Sequence, residues 1–240
     1  MKVRIAYIEE PPFYWTGPDR SVTGADIELA GVVLCAIGVS AIEYHLTSFE
    51  EFLPGVQAGR WEMNVPIFVT AERAERVAFS VPVWAVGDGF LFRRGNPKAL
   101  TSYEAVAALS DTRLGMVAGT IQAGSAKSAG VSDSQIMIFQ DQPAAVAALL
   151  AGKIDAYAST GVGSRALADA NQELEAVALG KSQNGKAPVG AFSFNKNNHR
   201  LAQAVNGQLR KYLGSADHRA RMAKYGLTRT EIDGVIADKI

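Results

Sequence analysis

Leu114-Gly-Met-Val-Ala-Gly-Thr120, Ile136-Met-Ile-Phe139, Gln142-Pro-Ala-Ala-Val-Ala-Ala-Leu-Leu-Ala-Gly152 and Ile154-Asp-Ala-Tyr-Ala-Ser159 lie within one stretch in which short apolar runs alternate with a longer one. Four to six apolar residues between polar or glycine punctuation read as a strand. The run from Gln142 reads as a helix, with Pro143 suited to its first turn and Gly152 to the left-handed position after its end. Gly119-Thr120 marks a further helix start. Strands and helices in this alternation predict an α/β protein with mainly parallel sheets.

The same rhythm extends upstream. Residues 2–8 alternate as a strand and lead into a loop rich in proline and aromatics, Glu9 to Pro18. A helix is expected after Gly24-Ala-Asp26, stopping at Gly38, followed by a strand over 41–46. Ser48 and Glu51 have capping-box spacing and open a short helix. Another strand fills 62–69. Downstream, Lys181 to Pro188 is polar and turn-rich, Val189 to Phe194 alternates as a strand, and helices are expected over 197–213 and 216–225. The rhythm restarts after Trp84. Two α/β units follow from this, lobe 1 from residues 1–84 and 191–240 and lobe 2 from 85–190, with a ligand expected between them.

Composition excludes several functions. The 240 residues are 48% hydrophobic, and 24 Lys and Arg balance 24 Asp and Glu. No basic run offers a footprint for nucleic acid, and no window approaches the roughly 18 to 20 apolar residues of a membrane span. The single cysteine, Cys35, rules out an intrachain disulfide and is expected in the core beside Ile27, Ala30, Leu34 and Ile37. The three histidines lack ligand spacing, so neither a metal nor a cofactor is expected. Met1 runs directly into a strand without the apolar segment of a signal peptide, which suits either a cytoplasmic protein or a mature form given a new methionine.

Four segments together resemble a known family. They are Phe49-Glu-Glu-Phe-Leu-Pro-Gly-Val-Gln-Ala-Gly59, Thr70-Ala-Glu-Arg-Ala-Glu-Arg-Val-Ala-Phe-Ser80, Gly119-Thr120 and Gly152-Lys-Ile-Asp-Ala156. In this order and at these separations they resemble the polar amino acid-type solute-binding proteins of ABC importers, family 3. The resemblance covers nearly the whole chain. It implies a type II periplasmic-binding-protein fold, two lobes joined by a two-segment hinge and closing on a small ligand. It further implies a monomeric receptor outside the cytoplasm, its signal peptide removed, that delivers the ligand to an ABC permease. Within that group the chain most resembles the ectoine and hydroxyectoine-binding proteins, through Glu10 three residues before Phe13, Phe49 before the Leu-Pro-Gly turn, Phe68 five residues before Arg73, and Thr160 after Asp-Ala-Tyr-Ala-Ser159.

Site residues follow from chemistry and resemblance together. Arg73, just after a strand, could hold a carboxylate through two parallel charge-assisted hydrogen bonds. Gly119 and Thr120 at a helix start would place free N–H groups and the positive end of the helix dipole near the same anion. Relatives that hold an α-ammonium usually place an acid five positions after the Asp corresponding to Asp155, and here that position is Thr160. Phe13, Phe49 and Phe68 match positions that line the ligand site in the family, and aromatic faces suit a bulky or delocalised cation, at about 0.5 to 2 kcal/mol each. Glu10 would supply the formal negative charge. The set reads as a receptor for a compact zwitterion such as ectoine or a betaine. Alternatives are a polar amino acid receptor, a prephenate or arogenate dehydratase-type enzyme with Glu10 as acid, and a sensor domain. Asn64-Val-Pro66 departs from the small pair common in relatives. Tyr14, Trp15, Trp61 and Trp84 are expected to pack, and Asp155 to brace lobe 2.

Overall fold

The computed structural model describes residues 2–179 and 187–237. Most of the turn-rich 181–188 stretch therefore lies outside the described residues. The chain divides into two compact units, Met1–Val86 with Pro188–Ile240, and Gly87–Ala187.

Unit 1 begins with β1 (Lys2–Tyr7), the short pair β2 (Trp15–Thr16) and β3 (Val22–Thr23), then α1 (Ala25–Ala36) and β4 (Ala41–Leu46). A 3-10 turn over Phe49–Glu51 runs into α2 (Phe52–Gln57), followed by β5 (Met63–Phe68), α3 (Ala71–Arg76), β6 (Ala78–Phe79) and β7 (Trp84–Ala85). Unit 2 contains β8 (Asp88–Arg93), α4 (Tyr103–Ala108), β9 (Leu114–Val117), α5 (Gln122–Ser128), β10 (Ile136–Phe139), α6 (Gln142–Leu150), β11 (Ala156–Thr160), α7 (Gly161–Ala170) and β12 (Leu174–Ala178). Unit 1 then resumes with β13 (Val189–Phe194), α8 (His199–Tyr212), α9 (Ala216–Ala223) and α10 (Arg229–Ala237). Among the described residues no helix is long and apolar enough to cross a membrane.

In unit 1 the strand order is β4-β1-β5-β13-β6, with β7 also paired to β13. The first three strands run parallel, while β13 pairs antiparallel with β5, β6 and β7. In unit 2 the order is β10-β9-β11-β8-β12, again with three parallel strands and with β8 antiparallel to both neighbours. The expectation of mainly parallel sheets is thus corrected. Each sheet is mixed because the strands at the two unit crossings, β8 and β13, enter their sheets against the parallel direction.

The unusual Asn64-Val-Pro66 has a structural reason. Ala191 pairs with Ile67 but Ser193 with Asn64, so β5 supplies an extra residue at this point. Pro66 lies in that bulge, where its missing N–H breaks no ladder bond. Phe192, opposite the bulge, instead exchanges bonds with Ser80: its N–H donates to Ser80 Oγ (3.1 Å), and its carbonyl accepts from Ser80 N–H (2.9 Å). Buried Asn64 is fully engaged, accepting from Trp61 Nε1 (2.5 Å) and donating to the Phe52 carbonyl (3.1 Å) and Ser193 Oγ (2.8 Å).

Other expectations shift. The Ser48 side chain makes no capping bond, and the segment after it is a 3-10 turn. Cys35 is exposed, because the buried residues of α1 end at Val33 and Leu34 and the next position turns toward solvent. Asp155 braces unit 2 as expected, accepting from Lys98 Nζ (3.2 Å) and the Arg113 N–H (2.8 Å).

Candidate functional site

In unit 1 the candidate residues follow the carboxyl ends of the parallel strands: Glu10 after β1, Phe49 after β4, and Phe68 and Arg73 at and after β5. Ligands of open α/β sheets bind at that edge. A tight turn shapes the Glu10 loop, with the Glu10 carbonyl accepting from the Phe13 N–H (3.0 Å) and the Glu10 N–H donating to the Tyr14 carbonyl (2.8 Å). The loop in turn caps α1. Carbonyls of Pro12 and Phe13 accept from the Ala25 and Asp26 N–H groups, both at 3.0 Å, satisfying donors that a helix start leaves open. Gly24 makes this approach possible: its φ is +131°, and a Cβ there would lie 2.2 Å from the Phe13 carbonyl oxygen.

Polar and aromatic groups then form a continuous series of contacts. The Tyr14 hydroxyl donates to Glu10 (3.0 Å). Phe13 packs against Tyr14 and, at 5.4 Å between centroids, against Trp84. Trp84 donates its indole N–H to Asp26 (3.1 Å) and meets Phe68 edge-on at 5.2 Å. Arg73 Nη1 donates to the Phe68 carbonyl (2.7 Å), and the guanidinium carbon lies 5.0 Å from the Phe49 ring centre. Thr70 caps α3 by accepting from the Arg73 N–H, which fixes where the arginine emerges.

Exposure separates the rings. Phe13 is 2% exposed and packs in the core, Phe68 is 8% exposed, and Phe49 is half-buried. Electrostatics are set by burial: desolvation raises the Glu10 carboxyl to about 7 against the opposing Tyr14 hydrogen bond. Asp26, fully buried, is pushed well above the carboxylate range by the same cause, opposed by the Trp84 bond. Desolvation lowers the Arg73 pKa, and the guanidinium still stays charged.

Unit 2 repeats the placement, since Gly119 and Thr120 follow β9 and Thr160 ends β11. Gly119 adopts φ +76°. Thr120 is not a helix cap, a correction to the sequence reading: α5 begins at Gln122, and the Thr120 hydroxyl donates to the Val117 carbonyl (2.8 Å). A left-handed turn at Gly119 delays the helix by two residues. Thr160 is buried and caps α7 by accepting from the Gly163 N–H (3.0 Å).

Sequence reading missed two acids. Asp26 was visible in principle as a polar residue on the stripe that continues through Leu29, Ala30 and Val33, all buried. Asp88 carries no such signal. It lies directly opposite Thr160 in the β8–β11 ladder and accepts from Tyr103 Oη (2.8 Å) and Gln122 Nε2 (2.7 Å). Desolvation raises its carboxyl, with hydrogen bonds from Tyr103, Gln122 and Ser125 opposing.

The model of the bacterial extracellular solute-binding proteins, family 3, matches residues 3–228. The chain belongs to that family. This solute-binding protein has the type II periplasmic-binding-protein fold, two α/β lobes joined by two chain crossings. It is 30% identical over 247 residues to the probable amino-acid ABC transporter periplasmic-binding protein y4tE of Sinorhizobium fredii (strain NBRC 101917 / NGR234), a match spanning 99% of the chain and 80% of the relative. Among solved structures it is similar to EhuB in complex with hydroxyectoine, with a TM-score of 0.85 and 26% identity over 98% of this chain and 94% of that one. An ancestral arginine-binding protein bound to glutamine shares the fold at a TM-score of 0.82 and 20% identity, over 93% and 97% of the two chains.

Proposed function

We propose that this solute-binding protein is the receptor of an ABC importer for a compact zwitterion of the ectoine or betaine kind, acting as a monomer outside the cytoplasm and delivering its ligand to a membrane permease without chemical turnover. The observation that carries this is the order of groups in unit 1. A guanidinium at Arg73 lies beside Phe49 and Phe68, and the same run of contacts ends at the carboxyl of Glu10. Such a run suits a carboxylate at one end and a delocalised cation at the other. We assign Gly119, Thr120 and Thr160 to ligand binding as well, and Phe13 to support of the wall. Position 160 offers a capping hydroxyl in place of a carboxylate, which disfavours a primary ammonium. The similarity to EhuB supports the same ligand class.

Asp88 favours a second reading, a polar amino acid receptor. It places a carboxylate across the ladder from Thr160, and the relative y4tE is named for amino-acid transport. A thermal-shift panel of ectoine, hydroxyectoine, glycine betaine, arginine, glutamine and histidine separates the readings, because a ligand at 100 times its Kd stabilises by about 2.7 kcal/mol. A shift confined to ectoines or betaine is expected. A shift confined to amino acids transfers the role to Asp88, and turnover of prephenate would reject the receptor reading. Phe68→Ala is expected to weaken the preferred cationic ligand about tenfold by titration calorimetry. Unchanged affinity would reduce Phe68 to packing.

A further inference from the structure

We propose that, before ligand binds, the Glu10–Asp26 carboxyl pair of unit 1 carries a proton, and that the cationic group of an arriving ligand takes the place of that proton, so that binding releases it to solvent. The inference rests on the reading that a cation-bearing ligand binds beside Glu10.

The geometry leaves the two carboxyls without a counter-charge. The hydrogen bond onto Glu10 comes from Tyr14 Oη, and the bonds onto Asp26 come from Trp84 Nε1, at 3.1 and 3.4 Å; both donors are neutral. Among the described residues, no lysine or arginine forms an ion pair with either acid. The charged and titratable groups of this unit that face the pair are few. Tyr14 feels both carboxyls, and Arg73 faces it from α3. Arg73 itself donates to the Phe68 carbonyl and lies over Phe49, with Glu72 as a neighbouring charge. The Glu9 carboxylate is turned away, accepting from the backbone and hydroxyl of Thr16.

Asp26 is fully buried and Glu10 half-buried, the charge of Glu10 raises the Asp26 carboxyl, and two carboxyls so placed do not both ionise without a cation. Burial accordingly raises the Glu10 carboxyl to about 7 and pushes Asp26 well above its ordinary value. A bound cation supplies the missing charge and drives ionisation, and the proton leaves. Ligand charge then sets the stoichiometry. A zwitterion of net zero charge, its carboxylate on Arg73, needs one ionised carboxylate. Release is therefore close to one proton at about pH 6 and fades above pH 8, where Glu10 is already ionised. Affinity falls by up to tenfold per pH unit below about 7. A ligand of net charge +1, such as arginine, needs both carboxylates and displaces a proton from Asp26 as well as from Glu10.

Titration calorimetry of the intact protein with hydroxyectoine and with arginine, in buffers of different ionisation enthalpy, counts the protons directly. Expected for hydroxyectoine is release of nearly one proton at about pH 6 and nearly none at about pH 8.5, lost in Glu10→Gln and retained in Glu9→Gln. Binding with no buffer dependence at pH 6 would overturn the proposal. If neither compound binds, the ligand reading fails, and the proton is tested without one. The unfolded chain deprotonates Glu10 near 4.5 while the folded protein holds the proton to about 7. Stability conferred by the proton is thus full below 4.5 and lost as pH rises to 7. The Tm of the wild type should fall relative to Glu10→Gln across that window, and parallel curves would overturn the proposal.

Discussion

Arg73→Ala is expected to weaken binding of any carboxylate ligand at least a hundredfold, while circular dichroism and thermal unfolding remain close to those of the wild type. The size follows from the setting. Arg73 is 8% exposed, with Nη1 directed at the Phe68 carbonyl and the guanidinium against Phe49, so its charge acts from a fixed and largely desolvated position. Truncating one partner of a buried charge pair costs about 2 to 5 kcal/mol, part of it from the abandoned carboxylate. The fold should survive because Thr70 caps α3 through the Arg73 backbone, which alanine retains. A variant within threefold of wild-type affinity by calorimetry would remove Arg73 from the site.

Gly190→Ala is expected to lower stability by about 3 kcal/mol, which corresponds to roughly 6 to 12 °C in Tm for a chain of this size, and to weaken ligand binding as well. Gly190 faces Phe68 on one side and Trp84 on the other within the sheet. An added Cβ would lie 2.1 Å from Trp84 Cη2 and nearly as close to two further ring carbons. The indole must move. Movement breaks its bond to Asp26, leaving a buried carboxyl without that donor, and loosens the packing of Phe13 and Phe68. Gly207→Ala is the control: Gly207 lies exposed within α8 with nothing near its missing Cβ, and alanine there should be neutral or stabilising by up to about 1 kcal/mol. Equal melting temperatures for the two variants would show that Trp84 adapts without cost.

What could be read from sequence depended on range. Strands over 41–46, 136–139 and 189–194 were legible to the residue, because each is a short local segment, continuous or alternating in its apolar residues, closed by polar or glycine breakers. The antiparallel insertion of β8 was not, since its direction is decided by pairing with β11 nearly seventy residues away. Helix starts suffered from turn detail: the spacing at Ser48 was right for a capping box, but side-chain direction is not written in spacing. At Thr120 a single left-handed glycine displaced the helix. In the site, charge and aromatic residue types were visible where motifs framed them, as at Arg73 and Phe49. Asp26 and Asp88 were missed because a buried acid is defined by what surrounds it, and their partners Trp84, Tyr103 and Gln122 lie 15 to 58 positions away.

The placement of β13 also orders events during synthesis. Its six residues sit between β5 and β6, inside the first sheet, yet they follow the whole of unit 2 in the chain. A nascent polypeptide leaving the ribosome exposes β1, β4 and β5 long before their neighbour exists, and β5 waits with an open edge of backbone donors and acceptors. Unit 2, an uninterrupted segment, can close on itself first. Its folding then shortens the loop that β13 must bridge, whose ends meet where the Val86 N–H donates to the Pro188 carbonyl (2.9 Å). Completing the first sheet therefore requires a pairing between β5 and β13 that spans the whole of unit 2.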